Sequence, residues 1–463
     1  MRHILFILAA TSFFFTCSFA QESGWEGNSA DLSHGQLKVS DNNRYLEFED
    51  GTPFFYMGGT AWELFHRLNK QETEKYLENR REKGFTVIQA VILAELDGLN
   101  TPNADGETPL IDNNPLKPNE AYFEHVDWVI EKAADKGMFI GLLPTWGDKV
   151  SKRWGVGPEI FNEDNAYEYG RWLGKRYQSI PNIIWIIGGD RLGGGDNFPV
   201  WDAMAKGIKS VDQNHLMTYH PMGGRTSAEW FHQCEWLDFN MLQSSHGRRF
   251  LPNYRMIRSD YSLHPVKPCM DGEPNYEDIP ISFDPANGWF NERDVRHASY
   301  WSVFAGGMGI TYGCNNIWQM YDTDKEPVIY ARKPWHKSLD LPGAWDMIHL
   351  RKLMESRPFT TGKPFPSMIL SDLGGTTNKI LATKGDGYAF IYLTANNSVK
   401  VELRRLEAEK VKAWWYNPRT GDSQSIGTYG GESTQRFEVP GRGVDWVLLL
   451  DRVSEDFPPP SQL

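Results

Sequence analysis

The chain reads as a (β/α)₈ barrel followed by a small β-sandwich, and three observations lead there. Short apolar runs alternate eight times with helical segments; the runs are apolar nearly throughout; beyond residue 360 the pattern changes to short alternating strands. Strands without polar alternation are buried on both faces, as in a parallel sheet wrapped by helices. No GxGxxG or GxxxxGK stands at a strand-to-helix turn, which removes the usual nucleotide-binding reason for an open sheet and leaves the closed barrel.

The elements follow in order. Residues 1–20 have a basic start at Arg2, a short apolar core, and Ser18 and Ala20 before Gln21. This is the layout of a secretory signal peptide cut after Ala20, so a periplasmic or secreted protein is expected. Acylation at Cys17 would instead give an outer-membrane lipoprotein, but Phe14, Phe15 and Thr16 are bulky where a lipobox has small residues. The barrel is expected over 21–360. It opens with a β-hairpin turning at Asn42-Asn43, placed to plug the barrel bottom.

The eight expected strands are Phe54–Trp62, Phe85–Leu93, Met138–Gly147, Asn182–Asp190, Leu216–Gly224, Leu237–His246, Lys267–Pro274 and Gly309–Met320. Amphipathic segments such as AYFEHVDWVIEKAADKG and ERDVRHASYWSVFAGG lie between them. The β-sandwich is expected over 364–452, with strands in PSMILSD, KILATKG, YAFIYLT, VKVELRRL, VKAWWYNP, TQRFEVP and DWVLLLD. A proline-rich tail, 453–463, ends the chain.

Composition narrows the function classes. A net charge of −12 without a basic block argues against a nucleic-acid partner. After the leader no stretch is long and apolar enough for membrane insertion. Cys234, Cys269 and Cys314 form neither a disulfide framework nor a CxxC metal site, and buried thiols are expected. Aromatic residues make up 13% of the chain, enough to supply flat surfaces for sugar rings as well as a core. No obligate protein partner is evident.

Barrel enzymes carry their chemistry at the carboxyl ends of the strands. Read there, the candidates for substrate contact are Trp62, Gln89, Trp146, Tyr219, His220, Gln243, His246, Asn315 and Trp318. Asp190 and Glu273 stand apart as catalytic candidates, each following glycine at the end of an apolar strand, in IIGGD and CMDGEP. They fall on strands four and seven, across the barrel mouth from one another. Glycosidic cleavage needs such a pair, one acid to protonate the leaving oxygen and one carboxylate to attack carbon or activate water. Glu63, Glu95, Asp97 and Asp148 stand where they could line the cleft, but each reads first as a solvated loop charge. His220 and His246 with Asp190 or Asp148 could hold a metal, but the early His-x-His of barrel metallohydrolases is missing, and neither HExxH nor GxSxG occurs. No metal or cofactor is expected.

The order of GTPFFYMGGTAWELF, WIIGGD, DGEPNYE and the closing AWWYNPRTG…DWVLLLD resembles the apiosidase-like family, glycoside hydrolase family 140, of pectin-degrading gut Bacteroides. The resemblance covers nearly the whole mature chain. It implies a retaining barrel glycosidase with Asp190 as acid/base and Glu273 as nucleophile. The C-terminal module resembles one often labelled the collagen-binding domain of a collagenase; nothing in the sequence supports collagen binding. Related barrel glycosidases usually have Glu after Asn at the acid position, whereas here Asp190 follows Gly189. The shorter acid and the missing Asn suggest an unusual sugar such as apiose, and the resemblance implies the apiose linkage of rhamnogalacturonan-II. Retention predicts carboxyl groups about 5–5.5 Å apart. The rival reading is a non-catalytic glycan-binding protein on the same scaffold, which would keep the tryptophans and need neither carboxylate.

Overall fold

The structure, a computed structural model, describes residues 24–462. The leader expected over 1–20, with Cys17, lies outside them. Among the described residues no helix is long and apolar enough to cross a membrane.

Eight parallel strands form the barrel: β1 (Tyr56–Thr60), β2 (Val87–Leu93), β3 (Phe139–Thr145), β4 (Ile183–Arg191), β5 (Met217–Pro221), β6 (Asn240–Gln243), β7 (Cys269–Asp271) and β8 (Gly309–Tyr312). Their order is β5-β4-β3-β2-β1-β8-β7-β6. The sheet is drawn nearly closed where the Asp238 N–H donates to Met217 O at 2.9 Å and Thr218 Oγ1 to Phe239 O at 2.7 Å. The expected eighth strand stops early, because Asn315–Trp318 turn into a short helix over the barrel mouth.

The helices that follow are α1 (Lys70–Glu82), α2 (Glu120–Asp135), α3 (Glu163–Tyr177), α4 (Phe198–Lys209), α5 (Ala228–Phe231), α6 (Asn253–Tyr261), α7 (Glu292–Phe304) and α8 (Pro342–Glu355). Helices α1, α3 and α7 each start with an asparagine capping box, at Asn69, Asn162 and Asn291. Each box satisfies backbone N–H groups that the first helical turn leaves without partners.

The hairpin forms as expected, Leu37–Val39 pairing with Leu46–Phe48, and Pro53–Phe54 adds a third strand. It closes the barrel bottom: Phe54 and Phe48 lie 5.2 and 6.2 Å from the ring of Phe139, at the start of β3.

The C-terminal region contains β9 (Ile380–Gly385), β10 (Tyr388–Leu393), β11 (Ser398–Glu402), β12 (Lys410–Tyr416), β13 (Ser423–Gly430), β14 (Thr434–Glu438) and β15 (Trp446–Arg452). A sheet ordered β9-β10-β15-β12-β13 faces the pair β11-β14 across an apolar layer that includes Ile391, Val401 and Leu448. Two expectations need correction. The first expected strand is a 3₁₀ turn at Pro366–Met368, since proline there removes a ladder donor. The strand at Ser423–Gly430 had not been expected; it is an edge strand held to β12 by backbone pairing, so its sequence carries little apolar alternation. Cys269 and Cys314 are buried, Cys234 is half-buried, and all three are free thiols.

Candidate active site

The end of β4 is shaped by its glycines. Gly188 and Gly189 have φ of +99° and +124°, values that side chains rarely adopt. A Cβ on Gly188 would sit 2.5 Å from His220 O, and one on Gly189 would sit 2.9 Å from both Gly147 N and a ring carbon of Trp146. The strand therefore bulges between its neighbours and turns Asp190, itself at φ +58°, into the mouth.

Asp190 Oδ2 accepts a 2.9 Å hydrogen bond from the Trp154 indole. The loop carrying Trp154 is fixed by Arg191, whose guanidinium donates to the carbonyls of Ser151, Lys152 and Trp154 and lies 4.5 Å over the Trp154 ring. Tyr219 in turn donates to Arg191 O at 2.9 Å.

Glu273 follows β7 across the mouth. His246 Nε2 donates to Glu273 Oε1 at 3.1 Å, while His246 Nδ1 accepts from the Tyr276 N–H at 3.3 Å. With Nδ1 acting as acceptor, the ring proton belongs on Nε2, where it faces the carboxylate. His220 Nε2 is 3.1 Å from Glu273 Oε2, off the line of a well-formed hydrogen bond. Below, Asp271 accepts from the Ser244 N–H at 3.2 Å and from Asn253 at 3.0 Å, anchoring the strand end.

These surroundings drive the two acids apart. Burial and then the charge of Glu273 lift Asp190 to about 7, against the opposing pull of His220, Arg191 and the Trp154 N–H. Burial also pushes Glu273 upward, but His220 and His246 outweigh it and hold its carboxyl at about 2. Between about pH 2 and about pH 7 Asp190 keeps a proton to give while Glu273 is an anion. That division is what acid-assisted displacement at an acetal carbon requires.

Asp190 and Glu273 line a cleft of about 680 Å³ together with Trp62, Trp146, Gln243, His246 and Trp318. Trp146 Nε1 and Gln243 Oε1 have no partner among the described residues and are free to bond a ligand. Four expected contacts lie elsewhere. Gln89 is mid-strand and buried within the barrel, donating to Tyr56 and Thr311 at 3.1 and 2.9 Å. Tyr219 points outward, 4.7 Å from Phe231, because its neighbour His220 points inward and side chains alternate along a strand. His220 is fully buried beneath Glu273. Asn315 supports the wall, accepting from Trp318 Nε1 at 3.1 Å and donating to Ile329 O at 2.8 Å.

Of the four loop acids, Glu63 and Asp148 are not the solvated charges expected, whereas Asp97 is half-buried and accepts surface bonds from Asn100 and Thr101. Glu63 is buried, bonded to His66 at 2.6 Å. Asp148 is buried against Lys149 at 2.8 Å. Glu95 lines the cleft. Sequence reading missed Trp154, Tyr276, Met222 and Phe283, all of which line the cleft from loops beyond the strand ends. A tryptophan in the β3 loop was the one available signal, and strand-end reading stops short of it.

A (β/α)₈ barrel with such a carboxyl pair at its mouth is the design of a glycoside hydrolase, and known proteins agree. A solved glycoside hydrolase is 36% identical, with a TM-score of 0.86 over 93% of this chain and 99% of its own. A family 5 glycoside hydrolase from Bacteroides vulgatus is 34% identical, with a TM-score of 0.87 over 93% of this chain and 96% of its own. A structure from that organism described as a "putative glycoside hydrolase", at 16% identity and a TM-score of 0.67 over 91% of this chain and 83% of its own, shares the fold. No curated protein matches the chain. Residues 40–361 match the family described as "Apiosidase-like, catalytic domain", and residues 364–451 the one described as "Putative collagen-binding domain of a collagenase". The chain belongs to the apiosidase-like family.

Proposed function

We propose that this glycoside hydrolase releases apiose from rhamnogalacturonan-II by a retaining mechanism. The observation that carries the chemistry is the placing of Asp190 and Glu273 in one cleft, with two histidines against Glu273 and a single indole N–H against Asp190. The sugar is suggested by membership of the apiosidase-like family.

In the first step the Glu273 carboxylate attacks the anomeric carbon. The bond to the leaving oxygen breaks, and Asp190 gives that oxygen its proton. Once Glu273 is esterified its charge is gone, and Asp190, now ionised, accepts a proton from water as the water displaces Glu273. Trp62, Trp146 and Trp318 offer ring faces to the sugar.

The test is release of free apiose from rhamnogalacturonan-II, with the first-formed anomer followed by NMR. The substrate's configuration should be retained; inversion removes the covalent step. Glu273→Gln should lose activity by a factor of at least about 10³, because an amide is a poor nucleophile. Full activity in that variant would refute the site.

We also propose that the chain is exported with its leader removed after Ala20. N-terminal sequencing of mature protein should begin at Gln21, and a lipidated Cys17 would overturn this.

A further inference from the structure

Glu95 stands just beyond β2 and lines the cleft, and the steps above give it no task. The charged groups that act on it most are Asp190 and the Arg191 guanidinium at the end of β4, Asp148 in the loop after β3 and Glu63 after β1. Three of the four are acids. Asp148 already accepts from Lys149 and the Gly157 N–H, and Glu63 from His66 and the Leu96 N–H. Arg191 is committed to four backbone carbonyls, those of Ser151, Lys152, Trp154 and Asp190. Burial and the neighbouring acids push Glu95 up to about 8. A neutral carboxyl has an O–H to donate, and the direction its neighbours leave open is the cleft.

We infer that Glu95 is a specificity-determining residue that acts as a neutral hydrogen-bond donor to an acceptor oxygen, hydroxyl or carboxylate, on the leaving-group part of the glycan. The side follows from its neighbour: Glu95 and Asp190 line the same cleft, Asp190 is the acid that acts on it most strongly, and that acid stands beside the leaving oxygen. The assignment to that side therefore rests on the roles proposed for Asp190 and Glu273. Ionised, Glu95 loses its proton to donate and repels an anionic sugar. Activity on the glycan then needs protons on two cleft acids, Asp190 and Glu95.

Wild type, Glu95→Ala and Glu95→Gln are compared on rhamnogalacturonan-II oligosaccharides and on an aryl apioside, which lacks a leaving-group sugar. Glu95→Ala should lower kcat/KM on the oligosaccharide roughly tenfold more than on the aryl substrate. Glu95→Gln keeps an N–H donor and should recover most of that loss. Its alkaline limb should change from a two-proton to a one-proton dependence. A carboxyl-reduced oligosaccharide separates the two acceptors: the Ala effect persists for a hydroxyl and shrinks for a carboxylate. Equal losses on both substrates, or a Gln variant no better than Ala, would overturn the assignment. A readout without turnover separates this idea from the function itself. The infrared difference between wild type and Glu95→Gln at neutral pH should contain a protonated-carboxyl band, and carboxylate bands in its place refute a neutral Glu95 whatever the substrate. If that band is present and neither substrate is cut, the proposed function fails and the neutral cleft donor stands.

Discussion

At the scale of single residues, the site works by giving two similar acids different neighbours. Two imidazoles face Glu273, whereas Asp190 faces another carboxylate and has one neutral donor, Trp154. Activity therefore needs Glu273 ionised, above about 2, and Asp190 protonated, below about 7, which sets the acid limb and, on a substrate that does not engage Glu95, the alkaline limb. The Trp154 hydrogen bond stabilises the ionised form of Asp190, so removing it raises the Asp190 pKa. Trp154→Phe should move the alkaline limb of kcat/KM to higher pH. It should also lower the rate by about tenfold, because the acid loses an orienting contact. A pH–rate profile checks this, and a limb moving to lower pH would be the wrong sign. Asp190 and Glu273 could be found in sequence because glycine precedes each at the end of an apolar run. Trp154 and Tyr276 could not, since their loops cross the mouth and nothing local encodes where they land. Glu63 and Asp148 were misread for a related reason: acids after a strand are usually solvated, and only the closed barrel shows that these two are enclosed.

At the scale of elements, periodicity decides what can be read. The long apolar runs of β2, β3 and β4 have no alternation to confuse them and were placed within a few residues. The eighth run failed at its end because GCNNIW is apolar and amide-rich in either conformation, and its helix is fixed by partners far away. Gln319 pairs with Val328 through both its amide atoms, and Asn316 holds the Arg332 N–H. The β4 bulge has the opposite character, since its double glycine is visible in sequence and its cause is visible in space. Gly189→Ala adds a methyl against Gly147 N and the Trp146 ring at a φ that alanine disfavours. The cost should be about 1–3 kcal/mol of stability. Turnover should fall more than substrate affinity, because the displaced group is Asp190 itself. Denaturant unfolding together with the kcat and KM of the variant tests both parts; unchanged turnover would mean that the strand end tolerates the shift.

At the scale of the whole molecule, the barrel and the β-sandwich share one continuous core, with α7 between them. Tyr300 stacks on Tyr392 at 4.8 Å and Phe304 on Phe390 at 5.9 Å. Buried charges cross the same junction. Arg296 on α7 donates to both oxygens of Asp445 at 2.9 and 3.0 Å and to Asp346 on α8 at 2.7 Å. Arg419 and Tyr392 complete the shell around Asp445. The junction reaches the cleft as well: Asn253 bonds both Ala298 O of α7, at 2.9 Å, and Asp271, two residues before Glu273, at 3.0 Å. Replacing Asp445 leaves Arg296 buried with half its partners, so Asp445→Ala should cost about 3–5 kcal/mol. Salt should change that little, since the pair is screened from solvent. The pH dependence carries a definite sign. Burial raises the Asp445 carboxyl, but Arg296 and its neighbours outweigh that and hold it at about 2, below its ordinary value of 3.8. Its stabilisation is therefore present above the ordinary value and is lost as pH falls through about 2. Calorimetry from neutral to strongly acid pH should find one cooperative transition in the wild type and a lower melting temperature in Asp445→Ala. The gap between them should narrow toward acid, because the wild type loses there what the variant never had. A constant gap would mean that Asp445 acts through packing alone, and two separate transitions in the wild type would mean that the shared core does not couple sandwich to barrel.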